Sequence, residues 1–184
     1  MPGGDREGGE QDRWEPSPPA GLRLDRRLHR AILEHVMAAA PSEAVALLAV
    51  EPYAAGAPAR AVKLYPGTNL DDSATRYTMD PTEVISAFDD IDARGWWLGA
   101  IVHSHPATPP VPSATDLHEA YYPDALSIIV SLTTEPPTVR AWQMEPRTKS
   151  REVPLVIEGE IPGAEPPAGE TPRSAVRGID ARQQ

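Results

Sequence analysis

Apolar residues recur along the middle of this chain in two rhythms, one helical and one extended. Leu28, Ile32, Leu33, Val36 and Met37 fall three and four residues apart, so residues 25–39 are expected to form an amphipathic helix that Pro41 stops. Residues 44–50, A-V-A-L-L-A-V, read as a buried strand. A small-residue turn follows over 51–59, and the alternating R-A-V-K-L-Y of 60–65 is its antiparallel partner. Asp80-Pro81-Thr82-Glu83 is a helix start, with Asp as N-cap, Pro at the first helical position and Glu at the third to close a capping box. Val84, Ile85, Phe88 and Ile91 supply the apolar face of that helix and Gly95 ends it. Residues 98–102 read as another buried strand. A short helix from Ser113 comes next, then strands over 125–132 and 139–144 joined by a turn at 133–137, and a last strand over 153–157. Strands interleaved with helices predict an α/β fold, a central mixed sheet with helices packed on its faces.

The ends of the chain differ from its middle. Residues 1–20 and 159–184 are rich in Gly, Pro and charge and are expected to be disordered tails, leaving 21–158 as a single domain without internal repeats. The chain has no cysteine, which excludes disulfides and thiolate metal ligands and fits a cytoplasmic protein. Its net charge of −10 argues against a nucleic-acid partner, which needs a basic surface. No apolar run approaches the ~20 residues of a membrane span, so no membrane association is expected. The first ten residues lack the basic-then-apolar pattern of a signal peptide.

Candidate chemistry is concentrated in one stretch, H-S-H-P-A-T-P-P-V-P-S-A-T-D, residues 103–116. His103 and His105 lie two apart at the end of an expected strand, so both imidazoles aim at one face and Ser104 faces away. Pro106, Pro109, Pro110 and Pro112 prevent regular structure and make a stiff loop. Ser113 then caps a helix with Asp116 at its third position. Taken alone, that pair is an ordinary helix cap and the H-x-H an ordinary pair of loop histidines. Together they offer two imidazoles and a carboxylate, the three-ligand set of a catalytic Zn²⁺ site that keeps a fourth position open.

The pattern H-x-H, seven residues, Ser, two residues, Asp resembles the JAMM (MPN-plus) family of zinc isopeptidases, and the similarity extends over roughly residues 22–158. Pro41-Ser42-Glu43, ahead of the first buried strand, matches the family's early glutamate, and Arg76-Tyr77 and Asp80-Pro81 also fit. Where the family often has Cys-Gly after that glutamate, this chain has Val45-Ala46, which touches no ligand. The resemblance implies a cytidine-deaminase-like fold and one Zn²⁺ held by His103, His105 and Asp116. It further implies Glu43 as general base toward a zinc-activated water. Ser113 would donate a hydrogen bond to the developing oxyanion.

Other reactive side chains read as structural. Ser104 cannot use metal-bound histidines as its base. His118 lies on a different helical face from Asp116, His29 and His35 read as surface residues, and Asp71 and Asp72 as a solvated loop. One of Trp96 and Trp97 is expected in the core and the other along a groove, while Tyr121, Tyr122 and Pro123 are expected to pack. The compact form of the family includes prokaryotic enzymes acting on ubiquitin-like sulfur-carrier proteins. The short 66–79 and 106–112 segments favour such a substrate, cleaved after its C-terminal Gly-Gly. The alternatives are a non-catalytic MPN-type interaction module, against which the complete ligand set argues, and a RadC-like DNA-associated protein, against which the acidic charge argues.

Overall fold

The computed structural model describes residues 17–159. Among the described residues are β1 (Leu22–Asp25), α1 (Arg26–Ala39), β2 (Val45–Val50), β3 (Ala59–Gly67), α2 (Pro81–Ala93), β4 (Trp97–His105), α3 (Ala114–His118), β5 (Leu126–Ser131), β6 (Thr138–Glu145), β7 (Lys149–Val153) and β8 (Leu155–Glu158). One mixed sheet takes all these strands in the order β7-β6-β5-β4-β2-β3-β1-β8. The pairs β4–β5, β1–β3 and β1–β8 are parallel and the others antiparallel. Only Pro154 separates β7 from β8, which stand at opposite ends of that order. The sheet must therefore curve until its ends approach, and the Leu22 N–H donates to the Pro154 carbonyl at 2.8 Å where they meet.

Strand alternation divides the interior in two. Ala46, Leu48 and Val50 of β2, Ala100 and Val102 of β4, and Leu126, Ile128 and Val130 of β5 share one core with Leu28, Ile32 and Val36 of α1. Each large side chain so buried contributes roughly 1.5–3 kcal/mol. The intervening residues, Val45 and Leu47, His103 and His105, Ser127, Ile129 and Ser131, turn to the opposite face and are buried there too. The candidate ligands thus stand on the side of the sheet away from α1.

The helices begin and end for local reasons. The Asp25 carboxylate caps α1 by accepting the Leu28 N–H at 2.7 Å. His35, expected at the surface, is half-buried, its Nε2 2.8 Å from the Val45 carbonyl, which ties α1 to the start of β2. Met37 is exposed, just outside the buried stripe. In α2, Asp80 caps through the Thr82 N–H at 2.7 Å. Gly95 closes it at φ +66°, with its N–H on the Asp92 carbonyl and the Trp96 N–H on the Ile91 carbonyl, a Schellman ending.

Several expectations are corrected. Glu83 does not complete a capping box; its carboxylate takes the Thr68 N–H at 2.6 Å and the Thr68 hydroxyl at 2.9 Å, fastening the loop after β3 to α2. Ile85 is 62% exposed, because Ala87 and Ile91, four residues apart, define the buried face and Ile85 points away from it. The single strand expected over 153–157 is divided by Pro154, which has no N–H to donate, into the end of β7 and most of β8. The short strand β1 was not expected at all. Of the disordered tails expected over 1–20 and 159–184, residues 1–16 and 160–184 lie outside the described residues, while 17–20 and 159 are placed. At the inner edge of the first, the Tyr53 hydroxyl donates to the Ser17 carbonyl at 2.8 Å and the Ala20 N–H to the Ala57 carbonyl at 3.1 Å. No helix among the described residues is long and apolar enough to cross a membrane.

Candidate metal centre

His103 and His105 sit on the last turn-free stretch of β4, which runs through both before Pro106 ends it. Between them, Ser104 faces the other side. It is fully buried, and its hydroxyl accepts the Ala44 N–H at 2.8 Å while its own N–H donates to the Ala44 carbonyl at 3.2 Å. Its role is to join β4 to the residues before β2.

The proline-rich loop returns the chain to the strand end, and the first turn of α3 delivers Asp116. The capping box is formed: the Ser113 Oγ accepts the Asp116 N–H at 3.1 Å, and the Asp116 Oδ2 accepts the Ser113 N–H at 2.6 Å. The same carboxylate faces the histidines, with Oδ1 3.2 Å from His103 Nε2 and Oδ2 3.5 Å from His105 Nε2. The cap therefore fixes the candidate ligand instead of competing with it. One ligand atom from each of the three residues lies within 4.8 Å of the others.

This donor set fits a divalent cation. Both nitrogens of His103 are buried and lack a hydrogen-bond partner, although Asp116 Oδ1 lies 3.2 Å from Nε2. An unpaired buried polar group costs about 1–3 kcal/mol, and a cation between the three side chains would engage the Nε2 lone pair. His105 is tuned for the same task. Its Nδ1 lies 2.8 Å from the Pro109 carbonyl, which can only accept, so Nδ1 carries a proton and Nε2, 3.5 Å from Asp116 Oδ2, is the nitrogen left to face a cation. Burial alone would raise the Asp116 carboxyl, but the two imidazoles and the Ser113 N–H hold it well below the usual carboxylate range, so it is anionic at neutral pH. For His105, burial works against the proton while Asp116 and the Pro109 carbonyl favour it, and the net effect is a raised basicity.

Glu43 joins the site from just ahead of β2. Val45 of β2 pairs with His103 of β4 and with Gly67 of β3. Glu43 lies two residues before β2, its carbonyl held by the Asn69 amide, and its carboxyl is close enough to feel the charges of His105 and Asp116. It is only 5% exposed. Burial pushes its carboxyl up to about 7; the neighbouring His105 lowers it and the Asp116 charge raises it. A carboxyl with that value is half ionised near neutral pH, as a general base requires.

Asn69 was not singled out from the sequence. Its Nδ2 donates to the carbonyls of Glu43 (2.9 Å) and Arg76 (3.0 Å), and its Oδ1 accepts the N–H groups of Asp71 (3.0 Å) and Thr78 (3.1 Å). It thereby folds the 68–80 loop onto the backbone of Glu43. The Tyr77 ring of that loop lies against His103, tilted by 31° with ring centroids 5.0 Å apart. Burial, with the charges of Asp116, Glu43 and Glu119, raises its hydroxyl above its ordinary range, so it stays neutral. His118 is exposed and outside the ligand cluster, and Asp71 and Asp72 accept hydrogen bonds from Thr78 and Ser42 in the loop.

A cleft of about 340 Å³ opens beside Tyr77, lined by Thr78, Ile101, Glu119, Tyr121 and Tyr122. The two tyrosines also border a more apolar cleft of about 330 Å³ with Tyr53, Phe88, Trp96 and Trp97. Tyr121 and Tyr122, expected to pack, are exposed at 72% and 46%. Both tryptophans line the groove, and Trp97 also packs on the core.

The sequence matches the family of prokaryotic homologs of the JAB domain over residues 25–145. The chain belongs to that family. The JAMM/MPN resemblance carried by the histidine motif is thereby established at family level. Among curated relatives, the chain is 31% identical to a desampylase of Pyrococcus furiosus over 90 residues, 49% of this chain and 62% of that protein. It is 40% identical to a desampylase of Haloferax volcanii over 55 residues, 30% of this chain and 40% of that protein. The match thus spans less than two thirds of either relative. The fold is similar to the solution structure of a Desulfitobacterium hafniense protein, with TM-score 0.67 and 30% identity, covering 77% of this chain and 95% of that one. A Salinibacter ruber protein gives TM-score 0.56 and 27% identity over 76% and 94% of the two chains.

Proposed function

We propose that this protein is a cytoplasmic metal-dependent isopeptidase or peptidase that hydrolyses the bond after the C-terminal Gly-Gly of a ubiquitin-like or sulfur-carrier protein. The observation that carries this reading is the convergence of His103, His105 and Asp116 on one face of the sheet, with buried Glu43 close enough to feel the charges of His105 and Asp116. His103, His105 and Asp116 would hold Zn²⁺, which when bound supplies Lewis-acid activation of water and of the scissile carbonyl. Glu43 takes a proton from the attacking water and returns it to the leaving amine nitrogen. Ser113 uses its oxygen to accept the Asp116 N–H, so its hydroxyl hydrogen is available to the developing oxyanion. The likeness to two desampylases supports a deconjugating reaction.

The substrate tail would lie extended in the cleft beside Tyr77. Glycine suits this approach because a side chain would meet the walls before the carbonyl reached the ligands. A matched pair of conjugates tests the proposal: a sulfur-carrier-like protein joined through Gly-Gly, and the same protein joined through Gly-Val, each assayed with zinc-loaded enzyme and with chelator. The expected result is cleavage of the Gly-Gly conjugate alone, abolished by chelation. Equal, chelator-insensitive rates, or no cleavage of any Gly-Gly conjugate, would overturn it.

A further inference from the structure

The loop over residues 106–112, P-A-T-P-P-V-P, has four prolines and so only three N–H groups with which to stabilise itself. Three of its carbonyls are held from outside, and the middle one, that of Pro109, also accepts the Val111 N–H at 2.8 Å from within the loop. The three are consecutive, and each is taken by a side chain from a different strand of the sheet. Ser131 at the end of β5 donates its hydroxyl to the Thr108 carbonyl at 2.6 Å. His105 of β4 donates Nδ1–H to the Pro109 carbonyl at 2.8 Å. Trp142 of β6 donates Nε1–H to the Pro110 carbonyl at 3.0 Å. Ser131 is fully buried and Trp142 is 9% exposed. The Ser131 hydrogen is committed to the loop, so the Thr133 hydroxyl, 2.8 Å away, is the donor in its contact with Ser131.

We infer that Ser131 and Trp142 are positioning residues that act on the metal centre through the loop backbone. The middle carbonyl, that of Pro109, decides which nitrogen of His105 carries the proton. Ser131 and Trp142 hold the carbonyls on either side of it, so they anchor to the sheet the turn that the Val111 N–H closes on Pro109. Removing either donor leaves one loop carbonyl unpaired, lets Pro109 drift, and allows His105 to take the tautomer with the proton on Nε2, which cannot ligate. The inference rests on the reading of His105 as a metal ligand through Nε2, but its first consequence needs no metal.

The test compares wild type with Ser131→Ala and Trp142→Phe, the second of which keeps an aromatic ring and loses the donor. Two measurements are made on the whole chain. One is the ¹⁵N spectrum of the histidine rings of metal-free protein at alkaline pH, where the rings are neutral. Wild-type His105 is expected as the single Nδ1–H tautomer, and both variants as mixtures. The other is Zn²⁺ affinity by chelator competition, expected to fall about 10–100-fold in each variant. Mixed tautomers together with lowered affinity support the inference. Variants that keep the Nδ1–H tautomer and bind Zn²⁺ as tightly as wild type overturn it while leaving the metal reading intact. Mixed tautomers in protein that never bound Zn²⁺ support the positioning role and count against the metal reading. If Trp142→Phe fails to fold, Ser131→Ala decides the question alone.

Discussion

At the residue scale, Glu43 has the most to lose by being where it is. Its carboxyl is buried and pushed up to about 7 from an ordinary 4.5, so the folded chain binds that proton more tightly than the unfolded chain does. The linkage sign follows. The carboxyl opposes folding little at pH 4.5, increasingly as pH rises toward 7, and by about 3 kcal/mol above that. Glu43→Gln should therefore raise the Tm of metal-free protein at pH 8, with the gain vanishing near pH 4.5. A Tm gain independent of pH would show that charge burial is not its cause. The same variant should retain zinc and lose 10²–10⁴-fold in kcat, because Gln cannot accept a proton. Near-normal kcat would mean another base does this work, and loss of zinc would make Glu43 a ligand. With the proposed cation bound, its charge would lower the Glu43 value, so the acidic limb of the rate profile is expected at or below pH 7 and absent in the variant.

At the element scale, β4 is the part on which the site depends. It pairs with β2 on one side and β5 on the other, and its alternation alone turns two histidines toward one point. Gly99 lets it lie close to β2: a Cβ there would come within 2.1 Å of Val50 Cγ1. Gly99→Ala should cost about 1–3 kcal/mol by overpacking, read as a lowered Tm by calorimetry; an unchanged Tm would show that the strands separate there without cost. Elements with a strong local signature were legible in the sequence. The strand before His103, the Ser113–Asp116 capping box and the Asp80-Pro81 helix start each declare themselves within a few residues. What was illegible is set at long range. β1 offers only Leu22 and Leu24 as apolar positions, too few to show a period. Glu83 could satisfy its own helix but instead reaches Thr68, fifteen residues back.

At the scale of the whole molecule, the site is assembled from parts that are distant in sequence and adjacent in the sheet. The spacing of His103, His105 and Asp116 was readable because one strand, one loop and one cap bring them together. The place of Glu43 was inferred from resemblance; physically, the Asn69 amide holds its carbonyl and the Ser104 hydroxyl holds the next residue, Ala44. Asn69, Ser131 and Trp142 gave no sequence signal, since a polar side chain satisfying a backbone carbonyl across the sheet leaves no local pattern. The curved sheet, closed end to end through Pro154, is likewise invisible until the strand order is known. The central claim is that His103, His105 and Asp116 hold one zinc. It is tested most directly by elemental analysis of zinc in purified wild type and His105→Ala after dialysis against a weak chelator. The account predicts one zinc per chain in the wild type and loss of it in the variant, because two protein ligands rarely hold Zn²⁺ tightly. Stoichiometric zinc in His105→Ala, or none in the wild type, would contradict it.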